Sequence, residues 1–203
     1  VSGAEELVRC EMKREAEHRF LGRVAMPLPQ TIEKRAFTLD GERIELTAVV
    51  FAGITHILVP ASLWGENAVR KAEHAARVWA KELPPVFGLL LFDEKEKSLK
   101  PLVAVGDVSL IWERGCGSGT SAVGAYLAAR EKKDVTVSLK QPGGVMRATA
   151  SYRLRKLKLR AALLSWQRVR HIYKKSADEN SAFFCYVRGK PCKISIFLHF
   201  FGR

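Results

Sequence analysis

Alternating apolar and polar positions dominate the early part of the chain, a pattern typical of strands with one buried face. The run "KRAFTLDGERIELTAVVF", residues 34–51, places Asp40-Gly41 between two such segments, which predicts a hairpin. "GITHILVP", residues 53–60, predicts a short apolar strand that Pro60 ends. We therefore predict that residues 18–60 are rich in β-structure.

A helical period begins in "ENAVRKAEHAARVWAKEL", residues 66–83. Its apolar residues recur every three or four positions and therefore share one face of a helix. These residues are Val69, Ala72, Ala76, Trp79 and Leu83. Pro84-Pro85 follows directly and ends the predicted helix.

Strand patterns return after this helix. Two apolar runs, "VFGLLLFDE" and "LKPLVAVG", predict strands joined by the charged turn "DEKEKS". "DVTVSLKQPGGVMRATASY", residues 134–152, predicts a hairpin that turns at residues 141–144. Antiparallel hairpins with few helices indicate an α+β fold.

The segment "SLIWERGCGSGTSAVGAYLA", residues 109–128, predicts a strand, a glycine-rich bend and a helix. Small or apolar residues occupy every side of that helix: Ala122, Val123, Ala125, Tyr126, Leu127, Ala128 and Ala129. A helix that is apolar all round is normally buried on all sides. We therefore predict an antiparallel β-shell around one central buried helix.

Basic residues are distributed unevenly along the 203 residues, although the formal net charge is +13. Residues 153–203 hold 13 Lys and Arg against 2 Asp and Glu, whereas residues 1–152 hold 21 against 19. The body of the protein is therefore nearly neutral. Its overall charge gives no reason to expect nucleic acid as a partner.

Cysteine usage indicates neither a metal site nor a disulfide scaffold. Cys10, Cys116, Cys185 and Cys192 lack the spacing of metal ligands, so no metal is predicted. No signal peptide is recognised, and no apolar run approaches the roughly 18–20 residues that span a membrane. We expect a cytoplasmic protein.

Cys116 lies in the glycine-rich bend, where the predicted helix begins. The bend lacks the defining residues of a P-loop, a dinucleotide fingerprint and a hydrolase elbow. The first turn of a helix exposes amides and a partial positive charge, which bind a carboxylate and favour a thiolate. Glu113, three residues earlier, is suited to a substrate ammonium. Together these features predict a site for an α-amino acid with Cys116 as its activated thiol.

A structural role is the alternative for this cysteine. Glycine-rich turns between a strand and a helix are common, and Cys116 in one of them is then an inert small residue at the entrance to a buried helix. The residues alone leave both interpretations open.

The run "ERGCGSGTSAVGAYLA", with the later "QPGG", resembles the C-terminal half of the diaminopimelate epimerase superfamily of amino-acid racemases. The longer run from "GLLLFDE" to "QPGG" is most similar to the histidine racemase branch. The resemblance covers residues 1–152 and is specific at Trp112-Glu113 and from Cys116 to Thr120. It implies two pseudo-symmetric domains, each a β-shell around a central helix, with the active site between them.

The resemblance also implies a cofactor-independent, two-cysteine mechanism in which Cys116 is one of the thiols. One thiolate removes the α-proton of the amino acid, and one thiol delivers a proton to the opposite face. We do not find the family's other cysteine in this sequence. Cys10 in "LVRCEM" is not a substitute, because the glycines expected around that cysteine are missing. We therefore expect that the N-terminal domain is missing and that this chain alone is inactive.

The substrate-binding residues that the resemblance implies surround the same bend. They are Gly117, Ser118 and Thr120 for the carboxylate, Glu113 for the amino group, and His56 near the site. At Arg114 this sequence departs from the histidine branch, which has smaller, uncharged residues there. We therefore expect Arg114 to alter recognition of the substrate side chain, which weakens the assignment of histidine relative to other amino acids. A hydrogen-bonded structural role for His56 is an alternative that stays open. The implied ligand is a small-molecule amino acid.

Residues 153–203 form a basic tail in this interpretation. "RLRKLKLRAALLSWQRVRHIYKK", residues 153–175, predicts a basic amphipathic helix for an anionic surface, or else a solvated or disordered end. A further hypothesis is a shifted reading frame, because the family expects a closing strand pair here. Two rival functions remain: a non-catalytic binding domain that uses the tail for anionic partners, and an α+β domain without a ligand site.

Overall fold

The computed structural model describes residues 10–16, 19–106, 109–153, 156–164, 184–187 and 190–193. Its strands are β1 (Cys10–Ala16), β2 (Arg19–Ala25), β3 (Thr31–Leu39), β4 (Glu42–Val50), β5 (Thr55–Pro60), β6 (Val86–Asp93), β7 (Ser98–Val105), β8 (Ser109–Trp112), β9 (Val135–Gln141), β10 (Gly144–Arg153), β11 (Lys156–Leu164), β12 (Phe184–Val187) and β13 (Lys190–Lys193). Its α-helices are α1 (Ala68–Trp79) and α2 (Gly117–Glu131), and two 3-10 turns, Ala61–Leu63 and Gly65–Asn67, precede α1. None of the helices in these ranges is long and apolar enough to cross a membrane.

Eleven of the described strands form one sheet, in the order β1-β2-β11-β10-β9-β7-β6-β5-β4-β3, with β8 also paired to β7. Neighbouring strands are antiparallel except in the pairs β5–β6 and β7–β9. The β7–β9 pair is parallel and joins Ser98 to Lys140 at one position. The sheet is therefore nearly divided between β7 and β9.

β6 carries apolar side chains on both faces, because a strand directs successive side chains to opposite sides. Leu89 and Leu91 belong to a core that includes Trp79 of α1. Leu90 and Phe92 belong to a second core around α2. β6 therefore lies between the two helices, which explains why its sequence is a continuous apolar run.

α2 is the buried central helix that the sequence predicts. Residues 119–125, Leu127 and Ala128 are all buried, and the helix contacts β5, β9, β10 and β11. A Cβ atom at Gly124 would lie only 3.1 Å from the Cβ atom of Ala148 on β10, so the glycine permits this close packing. The α+β class and the β-shell around a central helix are confirmed.

The predicted hairpins are confirmed at both turns. Asp40 and Gly41 join β3 to β4 with positive φ angles of 52° and 82°, which an aspartate and a glycine adopt more readily than most residues. The 142–143 turn joins β9 to β10.

The predicted helix is confirmed as α1, with two differences. Val69, which was predicted on the buried face, is 42% exposed, whereas Ala75, which was not predicted there, is buried. The helix also ends at Trp79, before Pro84-Pro85. The amides of Glu82 and Leu83 donate to the Trp79 carbonyl in the turn that follows.

The helix predicted after Arg153 is wrong for residues 156–164, which form strand β11. β11 pairs with β10 on one side and with β2 on the other. It thereby covers the edge of β10 that would otherwise present unpaired backbone groups. Residues 165–175, the rest of the predicted helix, lie outside the described residues. The proposed contacts of the tail with anionic partners therefore stay a prediction. Farther along the chain, β12 and β13 pair with each other.

Candidate active site

Cys116 is the N-terminal cap of α2, at the bend that follows β8. Its backbone is extended, with φ −120° and ψ 110°. The Sγ atom accepts a hydrogen bond from the Gly119 amide at 3.3 Å, as the oxygen of a capping serine does. A Cβ atom at position 119 would lie 3.2 Å from that sulfur and 2.9 Å from Cδ2 of Leu90. Glycine at position 119 therefore allows the sulfur to lie over the first turn of the helix.

Gln141, at the end of β9, holds this bend in place. Its Oε1 accepts a hydrogen bond from the Cys116 amide at 2.8 Å, and its Nε2 donates to Oγ1 of Thr120 at 2.7 Å. The sequence pattern assigns Gln141 only to a turn, so this role was not predicted. Gln141 is recognised by the burial of its side chain beside Cys116, and a local sequence pattern does not report this burial.

Thr120 differs from its predicted role as a donor to the substrate carboxylate. Its amide donates to the Cys116 carbonyl at 2.9 Å, and its hydroxyl donates to the same oxygen at 2.6 Å. The residue is fully buried. By contrast, Gly117 and Ser118 are half-buried, and their amides, as the first of α2, have no helical carbonyl to bind.

Glu113 lies beside the thiol, and Arg114 lies at the surface. The Glu113 amide donates to the Pro101 carbonyl at 2.9 Å. Burial raises the pKa of the Glu113 carboxyl, while a hydrogen bond with Cys116 acts in the opposite direction. Arg114 is exposed, and its carbonyl accepts from the Gly143 amide at 2.6 Å, which ties the bend to the β9–β10 turn.

The pKa of Cys116 differs in direction from the sequence expectation. Burial, followed by the negative charge of Glu113, raises the pKa of the thiol to about 12, and the bonds from Ser118 and Gly119 only partly oppose this. The side chain is 5% exposed, so water does not stabilise the thiolate. Loss of hydration therefore outweighs the hydrogen bonds from Ser118 and Gly119, and Cys116 is a thiol at neutral pH.

His56 on β5 reaches the same cluster from the sheet. Its Nε2 atom lies 2.9 Å from Oγ of Ser118, and that oxygen lies 3.5 Å from Sγ of Cys116. His56 is completely buried, and burial lowers its pKa to about 3. The imidazole is therefore neutral and lies behind Ser118, while its role in substrate binding stays a prediction.

A pocket of about 490 Å³ lies elsewhere on the described surface. Lys34, Glu45, Asp93 and Tyr126 are among its lining residues, and neither Cys116 nor its neighbours in the cluster take part. Tyr126 is ten residues after Cys116 on α2, or about 15 Å along a helix axis. The pocket is therefore separate from the candidate site.

Comparison with known proteins identifies relatives over most of the chain. The family model described as "Histidine racemase CntK N-terminal domain" matches residues 1–162. The histidine racemase of Staphylococcus aureus is 26% identical over 159 residues, which cover 74% of this chain and 55% of that protein. The histidine racemase of Fusobacterium nucleatum subsp. nucleatum is 30% identical over 149 residues, or 70% of this chain and 54% of that protein. The chain thus spans about half the length of the curated relatives it matches.

A solved structure gives the same fold. A probable proline racemase from Agrobacterium radiobacter superposes with a TM-score of 0.55 and 17% sequence identity, covering 77% of this chain and 54% of that one. The prediction that this chain resembles the C-terminal half of the family protein is corrected, because the family model that matches describes an N-terminal domain. The motif that carried the expectation, a cysteine before a buried helix, did not distinguish the two halves. The match also extends ten residues beyond the expected boundary at residue 152.

Proposed function

This chain belongs to the histidine racemase family, and on that premise we propose that it contributes one acid–base half-site of a cofactor-independent amino-acid racemase. Cys116 carries the proton-transfer role, and histidine is the proposed substrate. The proposed activity belongs to the whole family protein. This chain spans about half the length of its curated relatives.

The position of Cys116 at the N-terminus of α2 is the observation that carries the proposal. The first amides of α2, at Gly117 and Ser118, suit a carboxylate, and Glu113 beside the thiol suits an ammonium. An α-amino acid held by both groups brings its α-carbon close to Sγ. Arg114 stays the candidate contact for the substrate side chain.

Inversion requires that a proton leave one face of the α-carbon and that another reach the opposite face. Because burial keeps Cys116 protonated at neutral pH, its resting role is the acid. An opposing base removes the α-proton, and the Cys116 S–H bond breaks as its proton joins the other face, which leaves a thiolate. In the reverse direction, that thiolate is the base. The opposing group comes, on this proposal, from the part of the family protein that this chain does not span.

Glu113 couples substrate binding to the reactivity of the thiol. Its negative charge is one of the causes that raise the pKa of Cys116. A substrate ammonium next to Glu113 neutralises that charge, which makes the thiolate easier to form. Cys116 thus gives up its proton more readily when an amino acid is bound.

Protection from alkylation tests the proposed site. The 203-residue chain is treated with iodoacetamide at pH 8 with and without L-histidine, and modification of Cys116 is followed by peptide mass spectrometry. We expect slower modification with L-histidine, because the bound amino acid covers Sγ, and no slowing with histamine, which lacks the carboxylate. Equal rates under every condition would indicate a structural capping cysteine and contradict the proposal.

Deuterium incorporation tests the half-site. Incubation of this chain with L-histidine in deuterated water should give no inverted, α-deuterated product, because one thiol serves only one face. Formation of α-deuterated D-histidine by this chain alone, and its loss in Cys116→Ser, would show a complete site and overturn the half-site assignment.

A further inference from the structure

His56 and Ser118 form a hydrogen-bond chain behind the Cys116 thiol. Nε2 of His56 lies 2.9 Å from Oγ of Ser118, and Oγ lies 3.5 Å from Sγ of Cys116. Strand β5 and the first turn of α2 position the two ends of this chain. It therefore runs from the buried centre of the sheet to the helix N-terminus.

The second ring nitrogen of His56, Nδ1, is buried and has no hydrogen-bond partner among the described residues. It faces Gly88, the neighbour of His56 in the register between β5 and β6. A Cβ atom at Gly88 would lie 2.5 Å from Nδ1, so the backbone of β6 closes against this edge of the ring. Glycine at position 88 is thus what allows His56 to occupy this place.

The environment of Nδ1 determines where the imidazole carries its proton. A buried N–H group without a partner is rare in proteins, whereas an unpaired acceptor is tolerated more often. The neutral ring therefore carries its proton on Nε2 and leaves Nδ1 as the unpaired acceptor. Nε2 then donates to Oγ of Ser118.

This tautomer fixes which atom donates in each hydrogen bond from His56 to Cys116. Since Oγ of Ser118 accepts from His56, its own proton is directed elsewhere, and Sγ of Cys116 lies within reach. The Gly119 amide is a second donor to the same sulfur. Hydrogen bonds to the charged form of a group stabilise that form, so both donors favour the thiolate, while the carboxylate of Glu113 opposes it.

We propose that His56 is a positioning residue that acts through Ser118 to stabilise the thiolate of Cys116. The proposal rests on the proposed function, because a thiolate in this buried place arises when Cys116 gives its proton to the substrate. His56 touches no substrate, and its proton stays on Nε2 throughout. Its role is to keep the Ser118 hydroxyl directed at the sulfur.

Two substitutions of His56 separate a donor from a spacer. His56→Leu removes the donor, and His56→Gln places an amide N–H near the position of Nε2. At pH 8 and without substrate, we expect alkylation of Cys116 to slow about tenfold in His56→Leu and to return to within about threefold of the original rate in His56→Gln. His74→Gln, at an exposed histidine that binds Asp40, is the matched control and should leave the rate unchanged.

A double-mutant cycle tests whether the effect passes through Ser118. Ser118→Ala alone should also slow alkylation, and His56→Leu should add less than about twofold in that background, because coupled residues are not additive. An unchanged rate in His56→Leu alone, or the same slowing with and without Ser118, overturns the proposal. No substrate is present, so these results stand apart from the protection experiment that tests the proposed function.

Nuclear magnetic resonance of the unsubstituted chain keeps the proposal testable if His56→Leu fails to fold. With ¹⁵N-labelled histidine, we expect one neutral ring protonated on Nε2 that does not titrate between pH 5 and 8. Its signal should shift in Ser118→Ala. A proton on Nδ1 of that ring would make Nε2 the acceptor from Ser118, which would reverse that hydrogen bond and overturn the proposal.

Discussion

At the scale of single residues, two influences of opposite sign act on the sulfur of Cys116. The N-terminus of α2 supplies a donor from Gly119, which favours the thiolate. Burial and the neighbouring carboxylate of Glu113 favour the thiol and prevail. Cys116 is therefore a thiol at neutral pH, and on the proposed function its reactivity depends on what neutralises Glu113.

Substitution of Glu113 tests this balance. In Glu113→Gln the negative charge next to the sulfur is removed, so we expect the pKa of Cys116 to fall while burial still holds it above the usual range. Alkylation of Cys116 at pH 8 should then be about tenfold faster. Glu66→Gln, at an exposed position before α1, is the control, and an unchanged rate in Glu113→Gln would contradict the assigned role of its charge.

The buried His56 predicts a pH-dependent stability. Its pKa is lowered from 6.5 to about 3 in the folded chain, so between these values the unfolded chain binds a proton that the folded chain does not. Acidification through this range therefore favours unfolding, by at most about 1.4 kcal/mol per pH unit. Between pH 6.5 and 5, urea denaturation should show the original chain losing about 1.6 kcal/mol more than His56→Gln. Equal losses in both proteins would mean that His56 binds a proton in the folded state.

The sequence located the centre of this site but not its surroundings. Cys116 and Glu113 are close in sequence, so the glycine-rich bend reveals them together. Gln141 reaches the bend from β9, and no short pattern records such a contact. The resemblance placed His56 near the site, but its hydrogen bond to Ser118 from β5 was not predicted. The direction of the Cys116 pKa depends on burial by the sheet, which a local motif cannot report.

At the scale of secondary structure, α1 and α2 differ in how many of their sides are buried. α1 has one buried face and leaves Val78 36% exposed. α2 is enclosed by strands, and Ala125 at its centre is fully buried. The two helices should therefore respond very differently to a charged side chain.

A glutamate placed on each helix tests this difference. Ala125→Glu buries an unpaired carboxylate against the strands, and we expect loss of the folded state, since such changes cost several kcal/mol. Val78→Glu on α1 should change the free energy of unfolding by no more than about 0.5 kcal/mol. Circular dichroism during urea denaturation measures both, and a folded Ala125→Glu protein of normal stability would contradict the enclosed position of α2.

Local turn chemistry explains which elements were predictable. Asp40-Gly41 and the 142–143 turn fix their hairpins within a few residues, so the sequence pattern suffices. Residues 156–164 carry a helix-like pattern, yet they pair with β10 and β2. The sheet edge they cover is formed by distant residues, and tertiary pairing overrides local preference there.

At the scale of the whole molecule, β6 joins the two cores because its alternate residues belong to each. Leu89 contributes to the core with α1, and Leu90 contributes to the core with α2. A domain whose cores share a strand should unfold as one unit.

Truncation of either leucine tests this coupling. Leu89→Ala and Leu90→Ala should each lower the free energy of unfolding by about 2–5 kcal/mol. Of the four tryptophans, Trp79 lies in the first core, Trp64 and Trp112 pack against it, and Trp166 lies outside the described residues. In each variant made in a Trp166→Phe background, tryptophan fluorescence should change at the same urea concentration as far-ultraviolet circular dichroism. Separate midpoints for the two signals in Leu90→Ala would show that the cores unfold independently.

The pairing of β2 with β11 has a consequence for synthesis on the ribosome. Val24 of β2 lies opposite Ala161 of β11, and translation at about 5–20 residues per second separates the two by on the order of ten seconds. During that interval the nascent β2 exposes an unsatisfied edge while the chain beyond it is still being made. Until β11 emerges from the exit tunnel, this edge of β2 is open to pairing with other chains, so aggregation during synthesis is the hazard that the topology creates.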